Sequence, residues 1–171
     1  MNKLIPMIPA VEIKKKIKET ASRLNHDYKD KNPLLIGVLK GSFIFLADLT
    51  RAMEIEHEID LIGASSYEGT TSTGKIKFTK EPDLDISKRH ILLVEDIVDT
   101  GRTIVSLKAH MESLKAESVK ICTLIDKQER RESRINVDYS CFTLEKGFIV
   151  GYGLDYNERF RYLPEIYDLK L

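Results

Sequence analysis

The chain has 171 residues, and 27 lysines and arginines balance 27 aspartates and glutamates. This length suits one domain whose core needs no disulfides or structural metals, and the zero net charge argues against a general binder of nucleic acid or anionic membranes. The sequence contains no run of roughly 20 consecutive apolar residues that could span a bilayer. Its first residues do not show the pattern of a signal peptide. Cys122 and Cys141 lie in apolar runs without metal-ligand spacing, as reduced core residues do. We therefore expect a single domain over 1–171 in the cytoplasm, without a nucleic-acid or membrane partner.

Helical and strand patterns alternate along the chain. Helices are expected at 11–28, 43–53 and 104–116, and strands at 34–39, 55–66, 76–79, 91–94, 118–125, 139–144 and 148–153. The last ten residues are expected to pack back onto the body. The charged segment 128–134 is interpreted as a solvated loop. This alternation predicts an α/β domain with a mainly parallel, twisted sheet flanked by helices.

Two of the predicted strands end in small-residue turns that precede helices. The first turn is Lys40-Gly41-Ser42. The second runs from Asp99 to Thr103; it comes after the apolar strand 91–94, the adjacent acids Glu95 and Asp96, and two further apolar residues. Free backbone amides at a helix N-terminus bind phosphate, and parallel strands present their carboxyl ends at one sheet edge. An ordinary strand–helix turn with acidic caps, and a solvated lysine at position 40, are the alternatives.

Residues 65–77, read as SSYEGTTSTGKIK, form a polar and glycine-bearing stretch with Tyr67 as its one large aromatic residue. A loop of this length inside a compact domain is typical of an active-site lid, and a variable surface hairpin is the alternative.

Several chemistries are excluded by missing motifs. The chain has neither the GxGxxG turn of dinucleotide-binding folds nor the GxxxxGK[ST] of a P-loop, and its four histidines lie in surface-like settings. Phosphate turns combined with carboxylates indicate a sugar phosphate and a divalent cation. Mg²⁺ is favoured over zinc because the candidate ligands are all oxygens.

The motifs, taken together, resemble a known family. VEDIVDTGRT is similar to the phosphoribosyl pyrophosphate signature of type I phosphoribosyltransferases, and the flanking runs resemble those of the 6-oxopurine (hypoxanthine–guanine) branch. Those runs are LKGSFIF at 39–45, SSY at 65–67, DK at 126–127 and FIVGYGLDYNERFR at 148–161. The resemblance covers residues 34–161 and implies the family fold, with a small hood formed by the chain-terminal segments and a mobile lid.

The resemblance also implies roles for individual residues. The ribose 5′-phosphate would be held by Asp99, Thr100, Gly101, Arg102 and Thr103, and Asp99 would also be the base near purine N7. The family varies at position 102, so the Arg102 side chain either adds to phosphate binding or points to solvent, and no catalytic role is assigned to it. Glu95 and Asp96 would meet the ribose hydroxyls and, with Asp155, the magnesium. Pyrophosphate would be bound by Lys40, Gly41 and Arg161. The purine would be bound by Lys127, Phe148, Ile149 and Asp155, and the lid would include Ser66 and Tyr67. The family tends to have a cis peptide before the lysine at position 40. For single residues a structural role is the alternative, such as a solvated Lys127 or a core Phe148.

The implied activity joins hypoxanthine or guanine to phosphoribosyl pyrophosphate, with Mg²⁺, in a homodimer or homotetramer. One alternative is an RNA-binding regulator of the uracil phosphoribosyltransferase type, which would want a basic surface. Another is a catalytically silent module that binds phosphosugars. The balanced charge and the run FIVGYGLDY speak against the regulator, and Asp99, Lys127 and Asp155 speak against the silent module.

Overall fold

The computed structural model describes residues 3–66 and 76–170, which form two sheets and three helices. The main sheet has six strands in the order β4-β3-β2-β5-β6-β7. Its strands are β2 (Leu34–Leu39), β3 (Glu58–Ser66), β4 (Ile76–Lys80), β5 (His90–Val98), β6 (Ser118–Lys127) and β7 (Tyr139–Leu144). All neighbouring pairs are parallel except β3 with β4. The mainly parallel sheet is therefore confirmed.

The smaller sheet joins the two ends of the chain. Strand β9 (Ile166–Lys170) lies between β1 (Lys3–Ile8) and β8 (Ile149–Val150), antiparallel to both. It is the predicted hood, and it places the residues that follow β8 beside the main sheet. The predicted packing of the last ten residues onto the body is confirmed by this pairing.

Helices cover the main sheet on both faces, which explains why the apolar runs 34–36 and 91–94 of its central strands are buried on both sides. Along β2, Leu35 packs with α1 (Ala10–Asp27) and α2 (Phe43–Ala52), whereas Leu34 and Ile36 pack with α3 (Arg102–Ser113). Strand β5 divides its side chains in the same alternating way. Both cysteines are buried and free, as predicted. None of the helices in the described ranges is long and apolar enough to cross a membrane.

Several predicted boundaries differ from the structure, and three of these differences lie at strand ends near the candidate site. Strand β5 continues through Glu95 and Asp96 to Val98, because Glu95, Ile97 and Val98 still pair with β6. Strand β6 likewise continues through Asp126 and Lys127, which pair with β7. The third correction concerns 148–153, where pairing with β9 ends at Val150 and the following residues Gly151, Tyr152 and Gly153 all have positive φ angles. The acids that were expected to end a strand therefore lie inside one.

The buried Asp60 on β3 fastens the turn that leads into β5. Its Oδ2 accepts hydrogen bonds from the backbone N–H groups of Asp83 (2.7 Å) and Leu84 (2.8 Å), and Lys80 Nζ lies 3.6 Å from Oδ1. Burial alone would raise the pKa of Asp60, but the backbone donors and Lys80 outweigh it, so its pKa lies below the ordinary value of 3.8.

An Asp60→Asn variant is expected to lose about 1–3 kcal/mol of unfolding free energy at neutral pH, because one carboxylate oxygen is replaced by a donor that faces donors. A carboxyl with a lowered pKa stabilises the fold above its unfolded pKa, and this contribution is lost as the pH falls through the folded pKa. Urea denaturation of both proteins should therefore show a difference that shrinks below about pH 4. Asp83→Asn, which alters an exposed acid paired with the same lysine, is the control and should change stability little. A pH-independent difference would contradict this account.

Candidate active site

The carboxyl ends of β2, β5 and β6 meet at one edge of the main sheet, and most of the predicted site residues lie there. Val98 and Asp126 are paired in register, so that the next residues of the two strands, Asp99 and Lys127, are neighbours. The Nζ atom of Lys127 is 3.8 Å from Oδ1 of Asp99, and 3.4 Å from Glu129. Lys127 is only 6% exposed, so it is not the solvated strand end of the alternative interpretation.

The turn at 99–103 stands at the N-terminus of α3. Gly101 is the residue before the helix, with a φ of +83°, and its carbonyl accepts the N–H of Val105 at 3.0 Å. A cavity of about 120 Å³ lies against the turn and is lined by residues 95, 97–101, 103 and 104. The N–H of Arg102 donates to the Thr100 hydroxyl at 3.4 Å, and Gly101 provides no side-chain cap. Amides of a helix start that face a small cavity make this turn suited to an anion.

Glu95 and Asp96 are almost fully buried, with 8% and 9% exposure. Burial raises the pKa of both carboxyls, and the Asp96 carboxylate raises the pKa of Glu95 further, well above its ordinary value. Gly41 packs directly on this pair, since a Cβ atom at that position would be 1.7 Å from Oδ2 of Asp96. A cation would offset the repulsion between two adjacent buried carboxylates and the cost of burying their charge, so these oxygen donors fit a divalent ion.

The described residues contain no group of three or more histidine, cysteine or acidic side chains that could hold a metal by themselves. The predicted ligands Glu95, Asp96 and Asp155 are therefore not assembled into one cluster. Mg²⁺ is commonly held by one or two carboxylates, with waters and substrate phosphates completing its shell. The Glu95–Asp96 pair fits that pattern, whereas Asp155 is occupied by Arg161, whose Nη2 lies 2.8 Å from Oδ1.

The residues predicted to bind pyrophosphate lie together. The peptide bond between Leu39 and Lys40 is cis, as the family resemblance implied. The turn after β8 packs on this segment, because a Cβ atom at Gly153 would be 2.1 Å from the carbonyl oxygen of Gly41. The carbonyl oxygen of Gly153 in turn accepts a hydrogen bond from Arg161 Nη1 at 2.8 Å. Lys40 and Arg161 thus stand on either side of one contact between two turns.

Glu158 was not singled out in the sequence, yet it contacts both of these cations. Its Oε2 lies 2.8 Å from Lys40 Nζ, and its Oε1 lies 3.5 Å from Arg161 Nη2. The hydrogen bond from Lys40 lowers the pKa of Glu158. An anionic ligand at Lys40 has to replace this carboxylate. The run of charges at 158–161 was a signal in the sequence, but the partner of Glu158 lies 118 residues away.

The other predicted purine-binding residues belong to the hood. Phe148 is 43% exposed, and its ring lies edge-on to Tyr156 with centroids 5.5 Å apart, so it is not a core aromatic. Ile149 is buried in β8, opposite Asp168. Ser66 is the last residue of β3, and Tyr67 lies outside the described residues.

The charged segment 128–134 is not simply a solvated loop. The N–H groups of Glu132 and Ser133 donate to the carbonyl oxygen of Thr100 at 3.0 and 3.3 Å, and the side chain of Arg131 is only 14% exposed. Arg102 is exposed and pairs with Glu132 at 2.6 Å. The segment therefore packs against the turn at 99–103. The sequence did not indicate this packing, because such a high density of charged residues is typical of a solvated loop.

Comparisons with known proteins identify the family of the chain and its fold. Residues 9–157 match the family described as "Phosphoribosyl transferase domain". The chain is 46% identical over 160 residues to a hypoxanthine-guanine phosphoribosyltransferase of Streptococcus pneumoniae, covering 93% of this chain and 89% of that protein. The solved structure of a hypoxanthine-guanine phosphoribosyltransferase from Bacillus anthracis superposes with a TM-score of 0.92 at 38% identity, covering all of both chains. A hypoxanthine phosphoribosyl transferase from Trypanosoma cruzi gives 0.91 at 38% identity, over 96% of this chain and 90% of that one.

Proposed function

The chain belongs to the phosphoribosyltransferase family, and from this membership we propose that it transfers a phosphoribosyl group to a 6-oxopurine. The reaction joins hypoxanthine or guanine to 5-phospho-α-D-ribose 1-diphosphate and releases IMP or GMP and pyrophosphate, a purine-salvage activity. The observation that carries the proposal is the pairing of buried Lys127 with Asp99, 3.8 Å apart, beside the cavity of the 99–103 turn. This pairing supports a site in which Lys127 donates to the base and Asp99 accepts a proton beside an anion-binding turn.

The sugar half of the substrate is assigned to the main sheet. The amides and hydroxyls of residues 99–103 bind the 5′-phosphate, an arrangement supported by the open helix N-terminus and the cavity in front of it. Glu95 and Asp96 accept hydrogen bonds from the ribose hydroxyls. Their burial and raised pKa values support a second role, in which they hold Mg²⁺. When bound, Mg²⁺ supplies electrostatic stabilisation of the departing pyrophosphate.

Pyrophosphate is assigned to the contact between the two turns. Lys40, the amide of Gly41 and Arg161 stabilise the negative charge that develops on the leaving group. Support comes from the close packing of Gly41 on Asp96 and of Gly153 on Gly41. Pyrophosphate must compete with Glu158 for Lys40, because the two side chains are 2.8 Å apart.

The purine is assigned to the space between the sheet and the hood. Lys127 donates to the 6-oxo oxygen, Phe148 stacks on the ring, and the carbonyl groups of Ile149 and Asp155 accept from its other edge. The burial of Lys127 and the partial exposure of Phe148 support these roles. Asp99 accepts the N7 proton as N9 attacks C1′, so that positive charge does not accumulate on the base.

We further propose that 1–171 is a single domain that acts in the cytoplasm as a homodimer or homotetramer. The family match over 9–157 supports the single domain, and the two free cysteines support a reducing compartment. For the oligomer, support comes from the Trypanosoma cruzi relative, whose C-terminal region has a role in its oligomeric state and enzymatic activity.

Purified protein with phosphoribosyl pyrophosphate and Mg²⁺ should convert hypoxanthine or guanine to nucleotide, as followed by chromatographic separation of the products. Xanthine and uracil complete the panel. Turnover of uracil alone would contradict the proposal and favour the uracil phosphoribosyltransferase alternative, whereas no turnover of any base would favour the silent module.

A further inference from the structure

We propose that Arg131 is a positioning residue, which fixes Asp99 relative to Lys127 without touching either substrate. The inference rests on the proposed function, because it concerns the distance between the proton acceptor and the purine-binding lysine. Arg131 belongs to the charged segment 128–134, which was expected to be a solvated loop, yet its side chain is mostly buried.

The guanidinium of Arg131 lies between the carboxyl ends of β5 and β6. On the β5 side, it donates to the carbonyl oxygens of Val98 (Nη2, 2.8 Å) and Asp99 (Nε, 3.0 Å). On the β6 side, Nη2 donates to the carbonyl oxygen of Lys127 at 3.0 Å and forms an ion pair with the Asp126 carboxylate. One side chain therefore holds the backbone of both functional residues.

The register of the two strands explains why such a link is needed. Val98 and Asp126 are the last residues of β5 and β6 that pair with each other, so the ladder ends one residue before Asp99 and Lys127. Beyond it, the carbonyl groups need other donors. A planar guanidinium offers several donors in a rigid fork, and here they reach acceptors at the ends of both strands. The Arg131 and Asp126 side chains are only 14% and 16% exposed, so solvent screens their ion pair weakly.

The residues that follow Arg131 hold the same turn. The N–H groups of Glu132 and Ser133 and the Ser133 hydroxyl all donate to the carbonyl oxygen of Thr100. Gly101 lies so close that a Cβ atom there would be 2.1 Å from Ser133 Oγ. Residues 132 and 133 therefore contact the turn at 99–103, and Arg131 connects the same segment to the end of β6.

An Arg131→Gln variant is expected to reduce kcat about 100-fold, because displacements near 1 Å in a site have effects of that size. KM for each substrate should change less than about threefold, since the substrate-contacting groups remain and only their mutual placement is lost. Arg131→Lys should recover part of kcat, because an ammonium group restores the charge but cannot match the fork. Arg134→Gln is the matched control: it removes an exposed arginine of the same segment and should resemble wild type.

Melting temperature and GMP affinity, the latter from calorimetry, separate positioning from loss of fold. The proposal predicts an Arg131→Gln protein that is folded at the assay temperature, binds GMP within about threefold of wild type and is slow in single turnover. A kcat equal to that of Arg134→Gln, or a loss explained entirely by an unfolded fraction, overturns the role of Arg131. Equal losses in the Lys and Gln variants also overturn it, because the charged replacement would then recover nothing. Wild-type protein without purine transfer would instead overturn the proposed function.

Discussion

An Asp99→Asn variant is expected to form nucleotide about 10²–10⁴-fold more slowly than wild type, the range that a general base contributes. Asparagine keeps the shape of the side chain but cannot accept the N7 proton. Asp99 Oδ1 is 3.8 Å from Lys127 Nζ, and Arg130 Nη1 is 3.6 Å from Oδ2, so the carboxylate has cations beside both oxygens. Single-turnover rates, measured with both substrates saturating, report on the chemical step without product release.

Nucleotide affinity should change much less than the rate in this variant, because the proposed phosphate contacts at 99–103 are mainly backbone amides, which the substitution leaves in place. Glu129→Gln provides the control: it removes a negative charge 3.4 Å from Lys127 while leaving Asp99 intact, and it should stay near wild-type rate. If Asp99→Asn turned over within about tenfold of wild type, Asp99 would be removed from the role of base.

A Gly153→Ala variant is expected to lose about 10²-fold in kcat/KM for phosphoribosyl pyrophosphate. The new Cβ atom would lie 2.1 Å from the carbonyl oxygen of Gly41, and both atoms belong to tightly packed turns. Lys40 and Gly41 must then move, together with the Arg161 hydrogen bond to the Gly153 carbonyl. Steady-state kinetics with varied phosphoribosyl pyrophosphate measures the effect.

Gly147→Ala is the matched control for this variant. Gly147 has a φ of +123° against +100° at Gly153, so both alanines adopt an unfavourable backbone conformation that costs on the order of 1–3 kcal/mol. A Cβ atom at Gly147 meets nothing closer than 3.7 Å, however. Both variants should therefore lose stability, but only Gly153→Ala should lose activity. Equal activity losses would show that backbone strain, and not the contact with Gly41, is responsible.

The sheet and its edge could be predicted from the sequence because local patterns encode them. Continuous apolar runs such as 34–39 indicate strands buried on both faces, and the structure places a helical layer on each face. The alternation of strands and helices then requires parallel pairing, which brings Lys40, Asp99 and Lys127 to one edge. The hood could be predicted only through the family resemblance, because its strands β1 and β9 come from opposite ends of the chain.

The remaining features depend on long-range contacts that leave no local pattern. Glu95 and Asp96 resemble a strand end by composition, but pairing with β6 keeps them inside β5. In the sequence, Arg131 resembles its solvated neighbours, because its hydrogen-bond acceptors lie at the ends of β5 and β6, in other parts of the chain. Glu158 likewise acquires its partner Lys40 only when the turn after β8 packs on the turn after β2. The contacts of these residues are determined by tertiary packing, and the local sequence shows only that the residues are charged.

The central claim is that the turn at 99–103 holds the sugar phosphate while Lys127 and Phe148 hold the purine. A crystal structure of the protein with GMP tests this claim most directly. The account predicts the phosphate against the amides of 99–103, Lys127 Nζ within hydrogen-bond distance of the 6-oxo oxygen, and the base stacked on Phe148. A nucleotide bound elsewhere, or one whose base does not contact Lys127, would contradict it.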